Sequence, residues 1–486
     1  MAGERRWREA HLGELLGVGL PIGAALAAAA MPVAGLIEVL VPLASAGIAV
    51  LLLHRRNDAS YLTFVVWLWL LTPLLRRVVD EASGFSEQSL ILLAAPLASL
   101  PALMPGLARR RELPPFASRA FAFGLIAFAY SFLSGVLQSG PVPAVLSLVM
   151  WLPPLAVGLW TATAPIDGWR LRRALGRLAV HGAIVVGAYG VYQFFLIPGW
   201  DATWMSNVDL TSIGRPLPLE VRVFSTLNSP GVMASVLGVF LIVLTATKSR
   251  LRWPAVLFGF AAFGLSLVRM AWLGFIVAIV ALVASGQRRA VLNAVLIIAV
   301  PSVLLIGFDG PAQDAVTDRF DNSVENSESD KSFESRVIFH REVLPAALRD
   351  VQGRGFGSTG TAVASIRDDD DRVIAVPDSG VLDALFSMGS VIGTAFLAVV
   401  VSAAVGAWRQ GRRGDPLDQA IGAAVVALAA QMVLGTVLLS ASGVLFWVLI
   451  GVAARGVGGG PPPTRVGRVD GVAVNPQPML RPATSA

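Results

Sequence analysis

Residues 373–413, "VIAVPDSGVLDALFSMGSVIGTAFLAVVVSAAVGAWRQGRR", decide the fold. From Ser379 to Ala407 the stretch is apolar except for Asp383 and a few hydroxyls, and Arg409, Arg412 and Arg413 then close it. A run of about 20 apolar residues is long enough to carry an α-helix across a bilayer. The apolar positions are continuous and do not alternate as the strands of a membrane barrel do. Two carboxylates, Asp378 and Asp383, stand at the mouth of this oily helix and need an explanation.

The rest of the 486-residue chain reads the same way. It is 55% hydrophobic and only 14% charged, with a mean hydropathy of +0.69. A soluble chain is about a quarter charged, so this much apolar surface needs lipid to cover it. Spanning segments are expected at 13–31, 33–53, 59–75, 89–107, 116–137, 143–162, 178–197, 229–247, 252–268, 270–286, 290–308, 379–407, 418–439 and 441–455. The expected fold is all-α, a polytopic membrane bundle of 12–14 transmembrane helices. The absence of cysteine excludes disulfides, thiolate metal sites and a Cys nucleophile. Four scattered histidines argue against a zinc site, and neither a metal nor a cofactor is expected.

Lys and Arg in short loops set orientation. Basic clusters fall at Arg5/Arg6/Arg8, Arg55/Arg56, Arg109–Arg111, Arg170–Arg177, Lys248–Arg252, Arg288/Arg289 and Arg409–Arg413. Fourteen segments put all of them on one side, with both termini cytoplasmic. Arg76/Arg77 fall on the opposite side, followed at once by Asp80 and Glu81. The start, "MAGERRWREAHLGELLG", has no clear cleavage site and reads as a cytoplasmic N-terminus. Four regions follow: a transmembrane bundle over 1–308, a large extracytoplasmic loop over 309–378, C-terminal helices over 379–455, and a Pro/Gly-rich cytoplasmic tail over 456–486 that reads as disordered. The loop holds 15 Asp and Glu against 8 Lys and Arg, a net of −7. Within it, "SFESRVIFHREVLPAALRD" (332–350) has helical periodicity and a kink expected at Pro345. It is expected to lie across the membrane mouth.

Several motifs have two readings. "GFGSTG" (355–360) matches GxGxxG, but a dinucleotide loop needs a strand before it and a helix after it. A helical stretch precedes it and the solvated block "RDDDDR" follows, so a flexible tight turn is expected. "LSLVRMAWLGF" (265–275) sets Arg269 at a hairpin tip, where an arginine either serves function or snorkels to the interface. "PLPLEVRVFSTLNSPGVMASVLG" (216–238) puts Arg222 just before a helix that opens with Asn228, Ser229 and Pro230. Arg222, Arg269 and Arg336 are all outer-face arginines, and guanidinium groups grip phosphate oxygens in a fork. Three converging would bind a pyrophosphate. Asp378 would then be a general base beside them, or merely the cap of its helix. Asp383, one turn deeper, is expected to pair with an arginine. Glu38 and Gln431 are further polar residues within segments, and His181 reads as structural.

At these residues the chain resembles the O-antigen ligase/polymerase superfamily of bacterial integral-membrane glycosyltransferases. "RVFSTLNSPGVMASVL" is similar to the family's Arg-containing stretch. "LSLVRMAWLGF" is similar to its Ser-Arg hairpin, with Val268 where Ser is usual. "ESRVIFHREVLPAAL", "GRGFGSTG" and "PDSGVLDALFSMGSVIG" follow its pattern of amphipathic helix, Gly turn and polar pair. Asp378-Ser379 stands where ligases of the family carry His-Asn, which favours the polymerase or exopolysaccharide-type branch.

The resemblance implies a GT-C-like bundle in the bacterial cytoplasmic membrane. It also implies metal-independent, inverting transfer of a polyprenyl-pyrophosphate-linked glycan to a glycan or glycolipid acceptor at the outer face. Asp378 and Arg269 would be catalytic, with Arg222, Arg269 and Arg336 on the pyrophosphate and Asp383 in support. No nucleic acid is implied as a partner. The alternatives left open are a secondary transporter or flippase, for which Glu38 would be a proton-coupling site, and a scaffold with a pseudo-active site.

Overall fold

A computed structural model of the chain describes residues 2–31, 34–208, 213–286, 291–299, 343–359 and 379–456. Among these the protein is all-helical, and the one β-type pairing is an isolated bridge between Gly214 and Val221. The helices are α1 (Ala2–Ala30), α2 (Ala34–His54), α3 (Asp58–Ser83), α4 (Leu90–Ala108), α5 (Pro115–Gln138), α6 (Pro141–Thr163) and α7 (Gly168–Leu196), followed by the short α8 (Gly199–Asn207). Then come α9 (Pro230–Leu244), α10 (Arg252–Leu265), α11 (Arg269–Ala284), α12 (Gly380–Gly411), α13 (Pro416–Gln431) and α14 (Ser440–Ala454). Residues 291–299 and 343–349 are also helical.

Among the described residues, eight helices are long and apolar enough to cross a membrane, and α9, α10, α11 and α14 are shorter apolar helices. The bundle is built for lipid. Leu137 is 87% exposed and Met104 73%, surfaces that water would not tolerate in such number. Inside, α14 is buried on every side from Val444 to Ile450, and α9 from Met233 to Leu244. A helix that is apolar all round belongs in a core or a bilayer.

Several segments depart from expectation: α1 and α7 begin well before the runs expected at 13–31 and 178–197, and α13 stops at Gln431, short of the expected 439. α4 is a chain of short α and 3-10 pieces, because Pro96, Pro101 and Pro105 each remove a ladder donor. α3 runs two turns beyond residue 75, because Arg76 pairs with Asp80 at 3.1 Å within the helix and Arg77 finds a buried partner outside it. Pro345 lies within the helical residues 343–349. Residues 332–342 lie outside the described residues.

The two ends of the bundle differ. At one end Arg172 and Asp418 join the starts of α7 and α13 at 2.7 Å, and Arg455 donates to the carbonyls of Ala164 and Ile166 after α6. The basic clusters of the described loops stand at this end. At the other end Arg222, Arg77 and the Gly353–Thr359 loop meet the opposite helix termini.

Membrane helices associate through close backbone approach rather than through a hydrophobic drive. α6 and α14 do so at Gly158 and Gly451. A methyl group placed on Gly158 would stand 2.5 Å from Trp447 Cβ and 2.6 Å from its carbonyl oxygen, and one on Gly451 would stand 2.5 Å from the Gly158 carbonyl. Gly19, on α1, faces open space. Gly158→Leu is therefore expected to lower the unfolding temperature of the detergent-purified protein by several degrees, with Gly19→Leu unchanged. Equal effects would show that this contact does not hold the bundle.

Candidate functional site

The loop between α8 and α9 brings Arg222 to the α10–α11 hairpin. Its Nε donates to Ser266 O at 2.7 Å and its Nη2 to Leu267 O at 2.9 Å. Those carbonyls are exposed by the hairpin itself, where Leu267 adopts φ 53°. The next residues are Val268, the N-cap of α11, and Arg269, its first residue. Valine has no side-chain acceptor, so it makes no side-chain cap bond there. Arg222 and Arg269 are thus brought together, with Arg222 holding the backbone that presents Arg269. Its described contacts are structural, whereas the sequence suggested direct pyrophosphate binding.

Three helix starts converge on the irregular turn between α13 and α14. The Gly380 N–H of α12 donates to Gly435 O at 3.1 Å, and Val381 N–H donates to Met432 O at 3.3 Å. A methyl group on Gly435 would lie 2.3 Å from Met270 Sδ, and one on Gly231 would lie 3.2 Å from Met270 Cε. The starts of α9, α11 and α12 therefore share one neighbourhood. Helix N-termini carry partial positive charge, which favours anions, although the first N–H groups of α12 are already taken by Gly435, Met432 and Ser379.

Asp378 and Arg336 lie outside the described residues, so their placement is not part of this geometry. The capping role left open for Asp378 belongs to Ser379, which is the N-cap of α12 and whose Oγ accepts from Leu382 N–H at 3.5 Å.

Asp383 is buried, and among the described residues its partners are not arginines. It accepts from Thr359 Oγ1 at 2.6 Å and from Ser387 Oγ at 3.5 Å. No ion pair to Asp383 occurs among the described residues. Its role is to latch the Gly353–Thr359 loop. That loop is not a free turn either. Phe356 N–H donates to Ser131 O at 2.8 Å, and Arg354 N–H donates to Phe386 O at 2.7 Å. The Phe356 ring is buried against Phe128 and Trp151, each centroid 6.0 Å away. Gly355 adopts φ 73°, and a Cβ there would meet Gly135 N at 2.1 Å, so only glycine fits. The GxGxxG spelling reflects a wedge between α5, α6 and α12, with residues 343–349 packing on the first turns of α12 through Ala347.

Glu38 is not an isolated mid-membrane carboxylate. It lies about one turn inside α2, where its Oε1 accepts from Ser89 Oγ at 3.4 Å. His181 Nδ1 lies 3.0 Å from Glu14, a structural contact as expected.

Sequence reasoning missed a fully buried ion pair. Arg77 is fully buried and pairs with Asp201 at 3.1 Å. It also donates to Ser225 O at 2.5 Å and lies over the Phe224 ring at 4.8 Å. Asp201 accepts from Gln193 at 2.6 Å and Tyr189 at 3.0 Å, and Gln193 Oε1 in turn accepts from the N–H groups of Phe224 and Ser225. Burial pushes the Asp201 carboxyl up, against the opposing pull of Arg77 and these donors. The one sequence signal was an Arg pair on the wrong side of the charge bias. No protein-family model and no curated protein matches the chain.

Breaking a buried ion pair from one side costs about 3–5 kcal/mol, whereas replacing both partners can be neutral. Arg77→Leu and Asp201→Leu are each expected to destabilise strongly, and the double variant to recover most of the loss in a thermal unfolding assay. Additive losses would mean that the two residues act independently.

Proposed function

We propose that the protein is a membrane glycosyltransferase of the O-antigen ligase/polymerase type. It would transfer or polymerise a polyprenyl-pyrophosphate-linked oligosaccharide at the outer face of a bacterial cytoplasmic membrane. The observation that carries this is the convergence of Arg222, Arg269 and the starts of α9, α11 and α12 at the end of the bundle opposite the basic clusters. Positive-inside bias makes the basic end cytoplasmic. Alternation of helix ends, with residues 291–299 as a further segment, is compatible with fourteen passes in a GT-C-like arrangement, which would put the 309–378 loop at the outer face.

In this mechanism the donor enters from the outer leaflet and its pyrophosphate meets Arg269. Arg222 acts as a positioning residue through the Ser266 and Leu267 carbonyls, and Arg336 of the loop adds a second cation. The Asp378 carboxylate takes the proton of an acceptor hydroxyl. The hydroxyl oxygen attacks the anomeric carbon from the face opposite the leaving group, and the bond to the pyrophosphate oxygen breaks. Charge develops on the departing polyprenyl pyrophosphate, where fixed guanidinium and helix-terminal N–H groups stabilise it. The Gly353–Thr359 wedge, latched by Asp383, stands in sequence between Arg336 and Asp378 and is itself anchored on α12.

A secondary transporter or flippase is the rival. The break between α13 and α14, beside a buried Gln431 that accepts from Ser235 at 2.7 Å, is the kind of discontinuous helix transporters use.

Arg269→Ala is expected to abolish glycan transfer while leaving the protein folded in the membrane, and retained transfer would remove Arg269 from the mechanism. Asp378→Asn is expected to lower turnover by at least about a hundredfold, the low end of general-base contributions. Because Ser379 supplies the cap, no loss of stability should accompany it. Polyprenyl pyrophosphate is expected to raise the unfolding temperature of the wild-type protein and not that of Arg269→Ala. A shift with a small solute or ion instead would favour transport.

A further inference from the structure

The basic end of the bundle holds a cavity of about 470 Å³ between the first turns of α7, the 246–249 turn after α9 and the 415–417 turn before α13. Ligand sites run from roughly 300 to 1,000 Å³. Three of its lining side chains are already held by carboxylates. Arg172 is held by both oxygens of Asp418 at 2.7 and 2.9 Å. Glu14 takes Arg177 at 3.5 Å and His181 at 3.0 Å. Asp415, on the rim, is engaged by the backbone N–H groups of Leu417 and Asp418.

Two lining cations remain. Among the described residues, no carboxylate lies within ion-pair distance of Arg173 or Lys248. Both are exposed, and both line the same cavity as the hydroxyl-bearing Thr247 and Ser249. The remaining lining is apolar, including Val180, Ala246 and Leu417. Cations over low-dielectric walls focus potential and draw in anions. The depth is also informative. The Arg173 guanidinium lies 4.7 Å over the Trp169 ring, and the Arg412 guanidinium 4.9 Å over the Trp408 ring. Tryptophan gathers at the headgroup level of a bilayer.

We propose that this cavity binds a phosphate-bearing anion at the membrane surface, with Arg173 and Lys248 contacting its oxygens. An anionic phospholipid headgroup presents such a group at this depth, and basic pockets between membrane helices recognise such headgroups. A soluble phosphate compound presents the same chemistry. The site is independent of the proposed transferase centre, which lies at the opposite end.

The test is thermal unfolding of the full chain, delipidated in neutral detergent, titrated in parallel with phosphatidylglycerol, phosphatidylcholine, inorganic phosphate and pyrophosphate. A saturable rise with phosphatidylglycerol and none with phosphatidylcholine is expected. Arg173→Gln/Lys248→Gln should raise the midpoint concentration roughly tenfold or more, and Arg173→Lys/Lys248→Arg should restore it. Both positions are exposed, so the ligand-free unfolding temperature should stay at the wild-type value. A rise with phosphate or pyrophosphate that is lost in the same variant identifies the soluble source. No rise with any phosphate compound overturns the proposal, as does a rise that the Gln/Gln variant leaves intact.

Discussion

The structure depends on how the non-helical backbone between residues 213 and 229 is satisfied within a membrane bundle. Much of this stretch is buried away from solvent, and buried irregular backbone survives only where protein groups answer it. Gln193, on α7, accepts from two consecutive N–H groups at Phe224 and Ser225. Arg77, on α3, donates to the Ser225 carbonyl and is itself neutralised by Asp201. Ser225 adopts φ 54°, a strained conformation for a serine, and these contacts over-determine it. From this anchor the chain leads directly to Arg222 in one direction and to the start of α9 in the other. The hairpin before Arg269 then hangs on Arg222.

The second anchored loop follows the same logic with different chemistry. Gly353–Thr359 enters the bundle backbone-first, between α5, α6 and α12. Its donors and acceptors are met by Ser131, Phe386 and Gln138, and Asp383 closes it through Thr359. The two loops flank one end of the bundle, while salt bridges tie the other. Polar groups at both ends are consumed largely by holding the fold. What distinguishes the Arg222 end is that three helix starts and an exposed arginine, Arg269, lie together there.

Much of the fold was legible. Apolar runs placed α2, α4, α5, α6, α9, α10, α11, α12 and α14 to within a few residues, because bilayer crossing imposes a length and a composition that a sequence must carry openly, whereas α1 and α7 begin well before their apolar runs, in polar and basic residues. The start of α12 was legible from Ser379 and Asp383, and that of α9 from Ser229 and Pro230. The partners of buried polar residues were not. Asp383 was expected to meet an arginine, and its partners among the described residues are Thr359 and Ser387. Glu38 was read as a candidate coupling site within a spanning segment, and is answered by Ser89. The GFGSTG turn was expected to be loose and is wedged. Sequence spacing reports what lies on the same helix, and each of these contacts joins different elements.

The amino-acid sequence by itself determined that the chain is helical, that many of its helices can cross a membrane, and that its basic residues gather in alternate loops. Those properties are local sums of hydrophobicity and charge. Only the tertiary structure decided that Arg77 faces Asp201, that Arg222 reaches the carbonyls before Arg269, and that α9, α11 and α12 begin around Gly435. Each is a meeting of residues far apart in the chain. Such meetings are selected by which buried donor finds which acceptor once lipid has removed water as an alternative.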